Sequence, residues 1–255
     1  MTSDMGFSPV AIAQFQRDGY VIARAATPPA QCEELLAIAR RDLTALTGPI
    51  EYEADTRYPG APTSRDAPGG RTSRRLLQAY ARHAAFARWV TSAPIAGRAA
   101  QLLGAPALLS QVHHNCVMTK APAYSSETHW HRDIRYWSFT RPDLVSVWLA
   151  LGEERVDNGC LLLLPGSHRM EFAPDQLDAA QFLRTDLAGT QALLKQQVIA
   201  ELHAGDVLFF HCRLFHAAGN NRTSDTKFSV VFTCHTADNP PLPDTRSASA
   251  PSFLL

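Results

Sequence analysis

The chain has 255 residues, and its 24 Lys plus Arg are balanced by 24 Asp plus Glu, for a formal net charge of +0. That balance excludes the strongly basic surface by which proteins hold nucleic acid or an anionic membrane, and no apolar run reaches the roughly 20 residues that span a bilayer. The amino terminus, MTSDMGFSPV, has neither the basic start nor the apolar centre of a secretory signal; the odd set Cys32, Cys116, Cys160, Cys212 and Cys234 contains no C-x-x-C, so reduced thiols in a cytoplasmic protein are expected rather than disulfides or structural zinc.

A β-rich chain of this size commonly stays undivided, so residues 1–255 read as one domain. Ser8-Pro9 gives an N-cap followed by proline in the first turn, and Asp18-Gly19 a stop, which predicts a helix between them. Tyr20 to Ala23 is a short strand. Thr27-Pro28 opens a second helix, in which Leu35, Leu36, Ile38, Ala39, Leu43 and Leu46 define one buried face.

Between Gly48 and Arg75 the composition turns to Pro, Gly, Asp, Arg and Ser with little periodicity, as in a lid over a site or a disordered loop. Its arginines, Arg57, Arg65, Arg71, Arg74 and Arg75, either bind a substrate carboxylate or phosphate or form a solvated face. Leu76 to Leu103 reads as helix broken near Pro94.

The period then shortens. Ala107–Met118, Leu144–Leu151, Cys160–Leu164, Val198–Leu202, Val207–His211 and Phe228–Thr236 are strand-like runs separated by turn signals. Among those signals, Asp157-Asn158-Gly159 has the composition of a hairpin turn. The fold class is therefore mainly β with α, a barrel or jelly roll braced on one face by N-terminal helices. The stretch 171–197 is a partly helical excursion near the mouth, and the Pro/Ser/Ala-rich tail 239–255 is expected to pack loosely.

The block THWHRDIRYW, Thr128 to Trp137, carries the candidate chemistry. In extended backbone, residues two apart point the same way, so His131 and Asp133 aim an imidazole and a carboxylate at one point while Arg132 faces away. A distant histidine would complete a 2-His-1-carboxylate set, which holds ferrous iron and leaves three positions open. His211 and His216 both qualify by position, and His129 shares the face of His131. Arg135, Tyr136 and Trp137 follow the motif and are expected at the mouth, where an anionic or aromatic substrate could be recognised.

Taken together, FQRDGYVIAR, MTKAP, HWHRDIRYW, LVSVWLAL, DNGCLLLLPGSHR and AGDVLFFHCRLFHAAGNNRT, in that order from about Phe15 to about His235, resemble the phytanoyl-CoA dioxygenase family. The resemblance implies a double-stranded β-helix (jelly roll, cupin-like) and an Fe(II)/2-oxoglutarate-dependent dioxygenase. Such an enzyme uses O2 to hydroxylate a small-molecule substrate and releases succinate and carbon dioxide. It carries the metal ligands onto His131, Asp133 and His216 and leaves His129 as a supporting, substrate-facing or plain surface residue. The presence of Asp133 argues against halogenation, because related halogenases lack this carboxylate.

The resemblance also implies a cosubstrate pocket formed by Lys227, Trp148, Lys120, Cys116 and Ala218. Two positions depart from the family pattern. Lys227 stands where members carry an arginine for the far carboxylate of 2-oxoglutarate, with Arg222 as a fallback, and Ala218 stands where they often carry serine. These departures leave open a cupin-like metal-binding protein without oxygenase activity, an isomerase or ligand sensor. His168, in the turn Pro165-Gly166-Ser167-His168, is expected away from ligand. No motif names the substrate, and no heptad or apolar helix declares a subunit interface.

Overall fold

Side-chain alternation along the strands determines the layers. The structure is a computed structural model that describes residues 6–56, 58 and 61–255. Its elements are α1 (Pro9–Asp18), β1 (Tyr20–Ala23), α2 (Pro29–Thr44), β2 (Ile50–Tyr52), β3 (Ser73–Leu77), α3 (Ala79–Arg82), α4 (Ala84–Val90), α5 (Ala93–Leu103), β4 (Ala107–Lys120), β5 (Thr128–His131), β6 (Val145–Ala150), β7 (Leu161–Leu163), α6 (Ala188–Leu194), β8 (Val198–Ala200), β9 (Val207–His211), β10 (His216–Ala218), β11 (Lys227–Thr236) and β12 (Phe253–Leu254).

The strands form two antiparallel sheets. The larger runs β1-β9-β6-β11-β4-β3-β2, with β12 also on β4, and the smaller runs β5-β10-β7-β8. On β6, β9 and β11, Val145, Val147, Leu149, Val207, Phe209, Phe228, Val230 and Phe232 pack against the helices. The alternate residues Trp148, Ala150, Leu208, Phe210 and Val231 meet Leu161 and Leu163 of the opposing sheet. Both faces of these strands are buried, which is why they read as near-continuous apolar runs. The result is a jelly roll of mainly β structure with helices on one side, as expected.

Local rules hold at the start of the chain. The Ser8 hydroxyl accepts a hydrogen bond from the Ala11 N–H at 3.2 Å, and α1 ends at Gly19 with φ 82°. Leu35, Ile38 and Ala39 of α2 are buried, but Leu46 lies past the helix end and is 58% exposed.

Four expectations are corrected. The segment 48–75 is not without secondary structure: its ends form β2 and β3, which pair with each other and, through β3, with β4. Such short strands gain their hydrogen bonds from distant partners, so they leave no local period. The helix expected from Leu76 begins at Ala79 and breaks at extended His83 and Ser92. The tail 239–255 is anchored, with Asn239 fully buried, Phe253 and Leu254 paired to Leu109 and Leu108, and Phe253 stacked on Tyr80 at 4.8 Å. Finally, Asp157-Asn158-Gly159 is no hairpin. It is a single tight turn with Gly159 at φ 74°, and it carries the chain from the large sheet to the small one.

β4 departs from regular pairing beside the triad. Asn115 faces Phe232 and Ser110 faces Thr233 on β11, so residues 111–114 bulge out of the ladder. Bulges re-aim side chains, and this one presents His113 and His114.

Candidate active site

Strand pairing assembles the triad. His131 at the end of β5 and His216 at the start of β10 are cross-strand partners, with ring centroids 4.3 Å apart. Arg132 keeps extended backbone (φ −113°, ψ 135°), so Asp133 returns to the side of His131 although the strand has ended and a tight helical turn has begun. The Arg132 guanidinium goes the other way, over Phe172 and Phe215. One potential ligand atom from each of His131, Asp133 and His216 lies within 4.8 Å of the others, and all three residues are buried.

Hydrogen bonding sets the tautomers. His131 Nδ1 lies 2.8 Å from the His129 carbonyl oxygen and His216 Nδ1 3.0 Å from that of Leu214. A carbonyl only accepts, so each Nδ1 carries the proton and each Nε2 presents a lone pair. Those Nε2 atoms lie 3.7 Å and 3.5 Å from Asp133 Oδ1, which is buried and has no hydrogen-bond partner among the described residues. Asp133 Oδ2 accepts instead from the Ser146 hydroxyl at 3.2 Å, and His114 Nδ1 approaches it to 3.4 Å without the geometry of a hydrogen bond. Burial by itself would raise the Asp133 pKa, but His114, His216 and His131 outweigh it and hold the carboxyl well below the usual range. Burial, with His131 adding to it, pushes His216 down to about 4, so its imidazole is neutral at physiological pH. Two imidazole nitrogens with their ring protons turned away and one carboxylate oxygen, aimed at one point, fit a ferrous ion.

The cavity beside the triad is lined by Trp148, Lys120, Lys227, Ala218, Met118 and Leu161, among others. Lys227 is buried, with Nζ 2.9 Å from Glu154 Oε2 and 5.4 Å from the centre of the Trp148 ring. Glu154, with no exposed surface, also accepts from Trp148 Nε1 at 2.9 Å and Ser229 Oγ at 2.6 Å. Lys120 is the register partner of Lys227, and among the described residues its Nζ has only a long hydrogen bond, 3.4 Å, to the Ser126 carbonyl. Burial pushes the Lys120 pKa down to about 7; Lys227 and Arg74 push the same way, against Glu53 and Glu127.

Cys116 lines an adjoining cavity rather than this one, and its thiol meets Met118 Sδ at 3.7 Å. His129 is exposed and outside the triad; His211, half-buried, is also outside it, faces Asp143 at 3.6 Å and accepts from the Arg213 N–H. His168 packs on His211 and Gly19, away from both cavities. Arg222 is exposed in its turn. Of the arginine-rich segment, Arg57 lies outside the described residues, and Arg65 and Arg71 pair with Asp55 and Asp66. Arg74 and Arg75 turn inward to Glu53 and Glu51 and line the cavity.

Glu154, His114 and Ser146 escape sequence reasoning. A lysine inside an apolar strand does call for a buried carboxylate partner, but nothing in the order of residues says which. His114 reaches Asp133 only through the bulge.

A profile of the phytanoyl-CoA dioxygenase (PhyH) family matches residues 15–229. The ectoine dioxygenase of Halomonas elongata is 26% identical over 267 residues, 96% of this chain and 76% of that protein. Human peroxisomal phytanoyl-CoA dioxygenase is 30% identical over 131 residues, 49% of this chain and 38% of that protein. The solved structure of SnoN, a non-haem α-ketoglutarate-dependent epimerase from nogalamycin biosynthesis, aligns with a TM-score of 0.74 at 26% identity, covering 94% of this chain and 86% of its own. EctD from S. alaskensis, solved with 2-oxoglutarate and 5-hydroxyectoine, aligns at 0.76 with 22% identity over 95% and 80%, a likeness of fold.

Proposed function

The chain belongs to the phytanoyl-CoA dioxygenase family, and on that premise we propose that it is a non-haem iron, 2-oxoglutarate-dependent oxygenase that hydroxylates a small molecule. His131, Asp133 and His216 hold the ferrous ion in this reading. The observation that carries the assignment is the buried, unpartnered Oδ1 of Asp133 facing two imidazole lone pairs, since a buried carboxylate oxygen without a partner is costly unless a cation meets it.

The chemistry iron supplies here when bound is oxidative decarboxylation of 2-oxoglutarate to succinate and carbon dioxide, with one atom of O2 going to succinate and the other into a substrate C–H bond. The chain's own residues orient and shield. Ser146 donates to Asp133 Oδ2, with His114 packed beside it, and so fixes which oxygen turns to the metal. Trp148, Leu161 and Phe210 wall the cavity and exclude water. Lys227 and Lys120 meet the far carboxylate of the cosubstrate. Because Glu154 already compensates Lys227, Lys120 brings the uncompensated charge.

The Lys227–Glu154 pair also favours a second reading, a jelly-roll metal protein that takes no 2-oxoglutarate, since a carboxylate already occupies the cation's reach. Anaerobic titration of the ferrous protein with 2-oxoglutarate separates the two. The visible metal-to-ligand charge-transfer band of a chelated keto acid is expected, followed by succinate on admitting O2. Iron binding with no band at saturating 2-oxoglutarate would overturn the oxygenase reading in favour of the second.

A further inference from the structure

A second cavity, of ≈ 710 Å3, adjoins the triad's and shares Tyr58, Arg75 and His114 with it. Its volume is that of a drug-sized ligand pocket. We propose that it is the substrate site and that the substrate is an organic acid whose carboxylate Arg135 holds, its reacting carbon pointing past His114 to the triad. This rests on the oxygenase reading for the direction in which the substrate must point.

Charge and shape support it. Of the acidic groups on this cavity, Glu51 is paired with Arg75 at 2.6 Å and Asp55 with Arg65 at 2.9 Å, so neither is free to balance a further cation. The remaining cations of the lining, Arg135 and Arg246, have no carboxylate within ion-pair distance among the described residues. The two arginines therefore leave this wall with a positive charge that no acidic group of the lining balances.

Arg135 is also pre-positioned. Its guanidinium carbon lies 4.1 Å from the centre of the Phe182 ring and 4.7 Å from that of Tyr136, and its Nη1 is buried without a hydrogen-bond partner among the described residues. An arginine stacked on aromatic rings retains its planar fork for a carboxylate. Tyr136 is itself fixed by a 2.8 Å hydrogen bond to Tyr58, one of the residues shared with the triad's cavity. Arg246, exposed at the rim, has no comparable clamp.

The test is calorimetry on matched pairs: benzoate with benzamide, 3-phenylpropanoate with 3-phenylpropanamide, and hexanoate with hexanamide. Each is titrated into metal-free protein and into the anaerobic protein loaded with iron and 2-oxoglutarate. At least one acid is expected to bind about tenfold or more tightly than its amide, and the ratio should fall below about twofold in Arg135→Gln with the amide unaffected. Arg246→Gln should change the ratio little. Equal affinities in every pair, binding by none, or a ratio lost in Arg246→Gln but kept in Arg135→Gln would overturn the proposal. If Arg135→Gln does not fold, Arg135→Lys replaces it and should weaken the acid alone. The wild-type comparison decides without any variant, and absence of the charge-transfer band would sink the cosubstrate reading separately from the acid preference.

Discussion

Among single residues, Asp133 gives the sharpest test. Asp133→Asn keeps the shape of the side chain but removes the charge, and ferrous affinity should fall by more than the roughly 10–100-fold that loss of a supporting contact costs. Anaerobic competition with a chelator measures this, and unchanged affinity would remove Asp133 from the ligand set. The two lysines are expected to differ. Lys120→Met should weaken 2-oxoglutarate more than Lys227→Met does, because Lys227 already has Glu154. The charged ammonium is what attracts a carboxylate, so the wild-type dissociation constant should rise by up to about tenfold per pH unit above the Lys120 pKa of about 7 and flatten in Lys120→Met. His131 and Asp133 were legible in the sequence because two-residue spacing in extended backbone is a local geometry. Glu154 was not, because its partners Ser229 and Lys227 lie far along the chain.

At the scale of elements, turns and pairings decide what the site can tolerate. Gly159 has φ +74°, and a Cβ there would press on the Gly219 carbonyl oxygen and come within 2.7 Å of Lys120 Cε. Gly159→Ala should therefore lose at least about 1–3 kcal/mol of stability, read by urea unfolding, and weaken 2-oxoglutarate through Lys120. Strand β12 should also contribute: Phe253→Ala removes a ring stacked on Tyr80 and should lose about 1–2 kcal/mol, where a loose tail would lose nothing. The helix caps and central strands were readable, as at Ser8, Gly19 and Val207–His211. β2, β3 and β12 were not, because IEY, SRRLL and FL carry no apolar run like that of β9 and are held by partners distant in sequence.

For the whole molecule, buried neutral histidines set the acid limit. Burial pushes His113 down to about 3 and His168 to about 4, from an ordinary 6.5. The unfolded chain binds these protons below pH 6.5 and the folded one does not, so their contribution to stability is complete above 6.5 and is lost as pH falls toward 4. Each group adds up to about 1.4 kcal/mol per pH unit over that window. Calorimetric melting at intervals from pH 7 to 4 should show the midpoint falling, less steeply in His168→Gln. A flat profile would contradict the buried neutral state. The sequence by itself determined the class of fold, the caps and turns near α1, the strands of the core and the His131–Asp133 pair, because each depends on spacing along a single element. Only the tertiary structure decided that His216 stands across from His131, that Glu154 neutralises Lys227, and that a bulge in β4 brings His114 to Asp133. Those are pairings between strands and charges far apart in the chain, and their free energy exists only once the sheets have closed.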